Sequence, residues 1–131
     1  MAKNLDIVGL IDAYAPALTE KQREMMEFYY YDDLSLAEIA ENSGISRQGV
    51  RDAIKRGETT VLELEEKLGY AKRRRALSEQ LARIRANVQE IVVVNETFTY
   101  SDRIRAAADE IVAALDAAEN EPITEENDSG L

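Results

Sequence analysis

The chain has no cysteine and no histidine among its 131 residues. That excludes a disulfide scaffold and any ordinary Cys/His zinc site, and it removes the commonest general base and a thiol nucleophile. There is no glycine-rich phosphate loop and no serine in an elbow motif. The expectation is therefore a protein that is not an enzyme, with no cofactor and no metal. Prolines number two and glycines six, so long helices are allowed nearly everywhere. No apolar stretch approaches the length of a membrane span, and the N-terminus lacks the basic start and apolar run of a signal peptide. The default is a cytoplasmic protein without membrane insertion. No segment alternates with period two. The one β-rich stretch, Ile91 to Val94, runs on from a helical pattern, and no 20–50-residue repeat of the solenoid kind is evident. Positive charge is also scarce, with 16 Lys and Arg against 26 Asp and Glu, a net charge of −10.

What is present points to a helix-turn-helix. Residues 35–57 read SLAEIAENSGISRQGVRDAIKRG. Ser35 with Glu38 forms a capping box, and Leu34 and Ile39 stand where a hydrophobic staple would fix the entry of the helix. Ala40 is small where two helices must approach, and Gly44 supplies the positive φ of a tight inter-helix turn. Ser46 caps a second helix, with Ile45 and Val50 as its staple. The outward residues of that helix are Arg47, Gln48, Arg51 and Lys55. These side chains reach phosphates and base edges in a major groove. With Ser46 and Arg56 they make up the candidate nucleic-acid site.

The rest of the chain reads as all-α. A first helix over about 4–15 ends at Pro16, and Thr19 with Gln22 boxes the start of a second. A third covers Ser35 to Asn42, and a fourth runs from Ser46 to Leu68 with Gly69 as its stop. The fourth carries a heptad seam through Val50, Ile54, Gly57, Val61, Leu64 and Leu68. Residues 71–94 repeat it with Leu77, Leu81, Ile84, Val88 and Ile91, and 102–118 with Ile104, Ala108, Ile111 and Leu115. Burial is expected for Val61, Leu64, Leu81, Ile84 and Val88. A seam does not say which helix it faces, so packing within one chain and between two chains both stay open. The divisions are a helix-turn-helix domain at 1–69, a C-terminal helical arm or bundle at 70–119, and a disordered acidic tail at 120–131.

Leu18 through Lys67 carries the phrases LT-KQ, YYYDDLSLAEIAE and G-SRQ-V-D-IKR, followed by a leucine-bearing run. This half of the chain resembles the YlxM-type family of small helix-turn-helix proteins, which are encoded beside the genes for the signal recognition particle GTPases. It is also similar to region 4 of bacterial sigma factors. Gly49 stands where that family often has alanine, and the region after Gly69 has no motif match. The resemblance implies an all-α, dimer-capable DNA-binding protein. It also implies a link to co-translational targeting, through signal recognition particle RNA or GTPases.

Two functions are thus in view. One is a homodimeric nucleic-acid-binding regulator, acting on DNA or RNA and tied to the signal recognition particle pathway. The other is a protein-interaction adaptor that kept the fold, lost DNA affinity and regulates the targeting GTPase machinery. The SRQGVR helix favours the first, while the net charge of −10 and Asp52 favour the second. Of the aromatic run, Phe28 and Tyr29 read as core and Tyr31 as its most exposed member. Asp32 and Asp33 read as loop residues rather than metal ligands. Arg73, Arg74 and Arg75 fit a contact to RNA or phosphate, a solvated turn, or partners for Glu65 and Glu66. Asn95-Glu96-Thr97, a glycosylation sequon by pattern, reads as a loop.

Overall fold

The structure is a computed structural model, described for residues 1–120. The acidic tail from 121 onward lies outside the described residues, and Asn120 ends the last helix. Six α-helices follow in order: α1 (Val8–Tyr14), α2 (Glu20–Tyr30), α3 (Leu36–Ser43), α4 (Arg47–Leu68), α5 (Tyr70–Thr97) and α6 (Asp102–Asn120). Short 3-10 turns flank α1 at Leu5–Ile7 and Ala15–Ala17. Among the described residues there is no strand. The chain divides into two compact units, Met1–Arg74 and the part from Arg75 onward.

Local chemistry sets the helix ends. Thr19 with Gln22 and Ser35 with Glu38 both close reciprocal capping boxes. The Ser46 hydroxyl accepts from the Gly49 N–H at 3.0 Å. Gly44 ends α3 at φ +69, and a β-carbon built there would meet nothing within 4 Å. Its glycine answers to backbone conformation, not to crowding.

Two apolar clusters fill the first unit. One joins α1 to Met26, Val61 and Ala71, and the other packs Met25 and Tyr29 with Ile39, Val50 and Ile54. The α4 seam therefore points into its own unit. Leu64 lies at the margin of the first cluster, partly buried, and Leu68 is exposed. At the crossing of α2 and α4, a β-carbon on Gly57 would fall 2.2 Å from the sulfur of Met26, which is fully buried. The tyrosines after Met26 fasten the N-terminal segment. The Tyr29 hydroxyl donates to the Met1 carbonyl at 3.0 Å, and Lys3 sits over the Tyr29 ring. Lys3 also pairs with Asp33, which adopts a positive φ of 55. The Tyr30 hydroxyl donates to the buried Glu58 at 3.1 Å, and burial together with Glu58 pushes it up to about 12. Phe28 is half-buried, Tyr29 buried and Tyr31 exposed.

Between α4 and α5 the chain turns on Gly69 at φ +59, and the last turn of α4 caps the helix that follows. Glu65 accepts from the Ala71 N–H at 2.9 Å and the Lys72 N–H at 3.2 Å. It also accepts from the Tyr14 hydroxyl at 2.6 Å, and that hydroxyl takes the Tyr70 N–H at 3.2 Å. One carboxylate thus answers donors that the start of α5 would otherwise leave unpaired.

The second unit is a hairpin of α5 and α6. Val88, Ala108 and Leu115 are buried between the helices. The Asn95 side chain closes the turn, donating to the Ser101 carbonyl at 3.1 Å and accepting from the Ser101 N–H at 2.9 Å. Two expectations are corrected here. The sequon at Asn95 is the last turn of α5 rather than a loop, because the Asn95 amide is consumed in capping the turn that follows. Ile84 is exposed rather than buried, as are Leu77 and Ile91, and Leu81 is only partly covered. The reason is geometric. A seam has two rows, and one neighbouring helix covers one of them.

Two outcomes follow. Gly57→Ala should lower stability by up to about 2 kcal/mol, the overpacking cost of about 1–3 kcal/mol less the ~1 kcal/mol gained in helix propensity. Met26→Ala in that background should cost less than in the wild type, and an additive double-mutant cycle in urea melts would contradict the close contact. The second outcome concerns Glu65, whose carboxyl is held below its ordinary value by the Tyr14 hydroxyl first, against an opposing burial effect, and then by the α5 N–H groups. Its stabilisation is present above the ordinary carboxylate range near ~4.3 and is lost as pH falls through the lowered folded value. The melting gap between wild type and Glu65→Gln should therefore close on acidification; a gap independent of pH would refute this.

Candidate nucleic-acid interface

The helix-turn-helix is α3, the Gly44 turn and the first half of α4. Burial of Val50, Ala53 and Ile54 fixes the rotation of α4 about its own axis. At 100° per residue, that rotation leaves Arg47, Arg51, Lys55 and Gln48 within about 100° of arc to one side of the buried stripe. All of them are exposed, as is Ser46 at the cap. Among the described residues, no ion pair engages Arg47, Arg51 or Arg56. Lys55 lies 3.9 Å from Glu58, a loose contact that leaves the ammonium accessible.

Arg56 goes elsewhere. It lies about half a turn from Arg47 and lines a cleft with Thr19, Gln22, Asp52 and Ala53, against the start of α2. The structure thus gathers Ser46, Arg47, Gln48, Arg51 and Lys55 on one surface and sets Arg56 at its margin. Asp52 stands at the border between the two. It accepts from the Gln48 side-chain amide at 2.9 Å, so the carboxamide that would read a base edge is held by an acid in the free protein.

Guanidinium groups on an exposed helix face make charge-assisted, bidentate bonds to phosphate, and a carboxamide matches an adenine edge. The arc holds the donors for both. It holds no arrangement of nucleophile and base, and among the described residues no group of acids gathers as a metal site. No helix of the described residues is long and apolar enough to cross a membrane. Reasoning on sequence did not find Asp52's grip on Gln48, although their i,i+4 spacing carries that signal. Nor did it find Lys3 and Glu65, whose partners lie 30 and 51 residues away.

Residues 1–98 match the family described as "UPF0122: Putative helix-turn-helix protein, YlxM / p13 like". Among curated relatives, a UPF0122 protein of Thermoanaerobacter sp. (strain X514) is 46% identical over 82 residues, covering 63% of this chain and 70% of the relative. One from Limosilactobacillus reuteri (strain DSM 20016) is 44% identical over 88 residues, covering 67% and 78%. One from Bacillus cereus (strain AH187) is 45% identical over 87 residues, covering 66% and 79%.

Asp52→Ala should release Gln48 and remove a negative charge from the border of the arc. Affinity for a duplex oligonucleotide should rise several-fold at low salt, the scale of one exposed charge at about 0.2–1 kcal/mol. Fluorescence anisotropy checks this, and unchanged or weakened binding would show that Asp52 does not restrain the site.

Proposed function

This chain belongs to the YlxM/p13-like helix-turn-helix family, and on that premise we propose that it is a nucleic-acid-binding regulatory protein. It acts as a homodimer and serves the signal recognition particle pathway. The observation that carries the reading is the exposed arc of Ser46, Arg47, Gln48, Arg51 and Lys55 on a helix whose buried stripe is locked into the core. Its role is recognition, not catalysis. Phosphate contacts from Arg47, Arg51 and Lys55 would position the helix, and Gln48 would read a base edge once it leaves Asp52. A two-fold doubles these contacts, which matters for a chain whose long-range field is negative. The link to the targeting pathway rests on the family resemblance, with the particle's RNA or GTPases as the partners it implies.

A second reading is favoured by the net charge of −10 and by the acid that holds Gln48. In it the protein is an adaptor that binds a basic partner and regulates the targeting GTPases without touching nucleic acid.

Labelled duplex DNA and targeting RNA, titrated at several salt concentrations, separate the two. Three phosphate contacts per chain predict a log–log salt slope of about −3 per chain. Arg51→Glu should remove most binding and leave the melt unchanged, because the side chain is exposed. Gln48→Ala should change sequence preference at a cost of ~1–3 kcal/mol. No binding to either nucleic acid at low salt would leave the adaptor reading standing.

A further inference from the structure

The two helices of the hairpin share a ten-residue segment. Residues 83–92 read RIRANVQEIV and residues 103–112 read RIRAAADEIV, identical at seven of ten positions with an offset of 20 residues. The structure keeps the correspondence. Val88 and Asn95 on α5 are buried, as are their counterparts Ala108 and Leu115 on α6. Arg85 pairs with Asp116 at 2.9 Å, and its counterpart Arg105 pairs with Glu96, the counterpart of Asp116. Two antiparallel helices exchanged in this way are related by a pseudo-two-fold axis normal to the plane that contains them. Such an axis keeps equivalent residues on the same face.

That face is apolar and open. Ile84 and Ile104 are 45% and 43% exposed, and Ile91 and Ile111 are 50% and 41% exposed. On each helix the two isoleucines, Ile84 and Ile91 on α5 and Ile104 and Ile111 on α6, are seven residues apart, the spacing of a coiled-coil row. An apolar groove of about 610 Å³ lies on the face at the turn end of the hairpin, between Ile91 and Val94 on α5, Phe98 just past its end, and Ile104 on α6. Beside the isoleucines come residues suited to close helix approach, Asn87 and Val94 on α5 and Ala107 and Ala114 on α6. Beyond them both helices carry the same charges in the same order, Arg83 then Glu90 and Arg103 then Glu110.

We propose that this face is the surface on which a second copy of the chain docks, two hairpins closing into an antiparallel four-helix bundle. The inference rests on the homodimer reading above and names its surface. Charge order identifies the occupant. When two such edges meet antiparallel, each Arg faces a Glu; when they meet parallel, like faces like. A face carrying its own internal two-fold, with edges that complement themselves on reversal, is self-complementary, as an isologous interface requires. Four helices with neighbours antiparallel also cover both rows of every seam, which the hairpin alone cannot do.

Sedimentation equilibrium on the full chain tests this, with helicity followed by circular dichroism. The wild type should be dimeric at tens of micromolar. Ile84→Asp with Ile104→Asp should weaken dimerisation at least about a hundred-fold, the scale of a desolvated interface centre, with helicity kept because both sites are exposed. Ala107→Arg, outside the hairpin's buried row, should do the same if the double variant fails to fold. Arg83→Glu with Arg103→Glu should weaken the dimer, and adding Glu90→Arg with Glu110→Arg should restore it. A monomeric wild type overturns the homodimer reading and this surface together. A dimer that survives the isoleucine and Ala107 variants overturns the surface alone, and failure of the charge-swapped variant to recover overturns the antiparallel pairing.

Discussion

Much of this structure depends on how closely α2 and α4 cross. The Met26 sulfur occupies the space where any side chain on residue 57 would begin, so Gly57 lets the two helices meet at that depth. Close packing at that crossing holds α4 at one rotation, with Val50, Ile54 and Val61 inward. The exposed arc of Arg47, Gln48, Arg51 and Lys55 flanks that buried stripe and is set by the same rotation. A surface on a single helix is only as well placed as the helix itself, and here core packing places the arc proposed for recognition. The Ser35 and Ser46 caps and the Gly44 turn then fix where α3 ends and α4 begins, so packing and capping agree.

The second organising feature is electrostatic economy. The chain carries −10 overall, yet Arg47, Arg51 and Lys55 share one face of one helix. At physiological ionic strength charges are screened beyond about 8 Å, so a bound phosphate would respond to this arc more than to acids elsewhere on the molecule. Asp52 is the exception, because it lies within hydrogen-bond reach of Gln48. The net charge would slow approach to a polyanion and disfavour nonspecific binding.

What could be read from the sequence was local. The capping boxes at Thr19–Gln22 and Ser35–Glu38, the cap at Ser46 and the left-handed glycines at 44 and 69 each depend on residues within four positions of one another. The outward arc of α4 followed from the helical period once the apolar side was identified. Long-range features were not legible. Glu65 reads as a partner for the run Arg73 to Arg75, and only the fold brings Tyr14 and the N–H groups at the start of α5 to it. Gly57 reads as a gap in a seam, and Met26 explains the gap only when α2 is packed. Ile84 looked like core because a heptad row implies a partner without naming one. The ten-residue repeat at an offset of 20 was masked by the heptad, since both copies satisfy the same apolar pattern.

The central claim, that the basic arc of α4 meets nucleic acid, is tested most directly by backbone amide NMR during titration with a short duplex. Shift changes should concentrate on residues 46–55, with the Gln48 side-chain amide moving as it leaves Asp52, and should fade as salt is raised. Saturable shifts that map elsewhere and leave residues 46–55 unmoved would contradict the account.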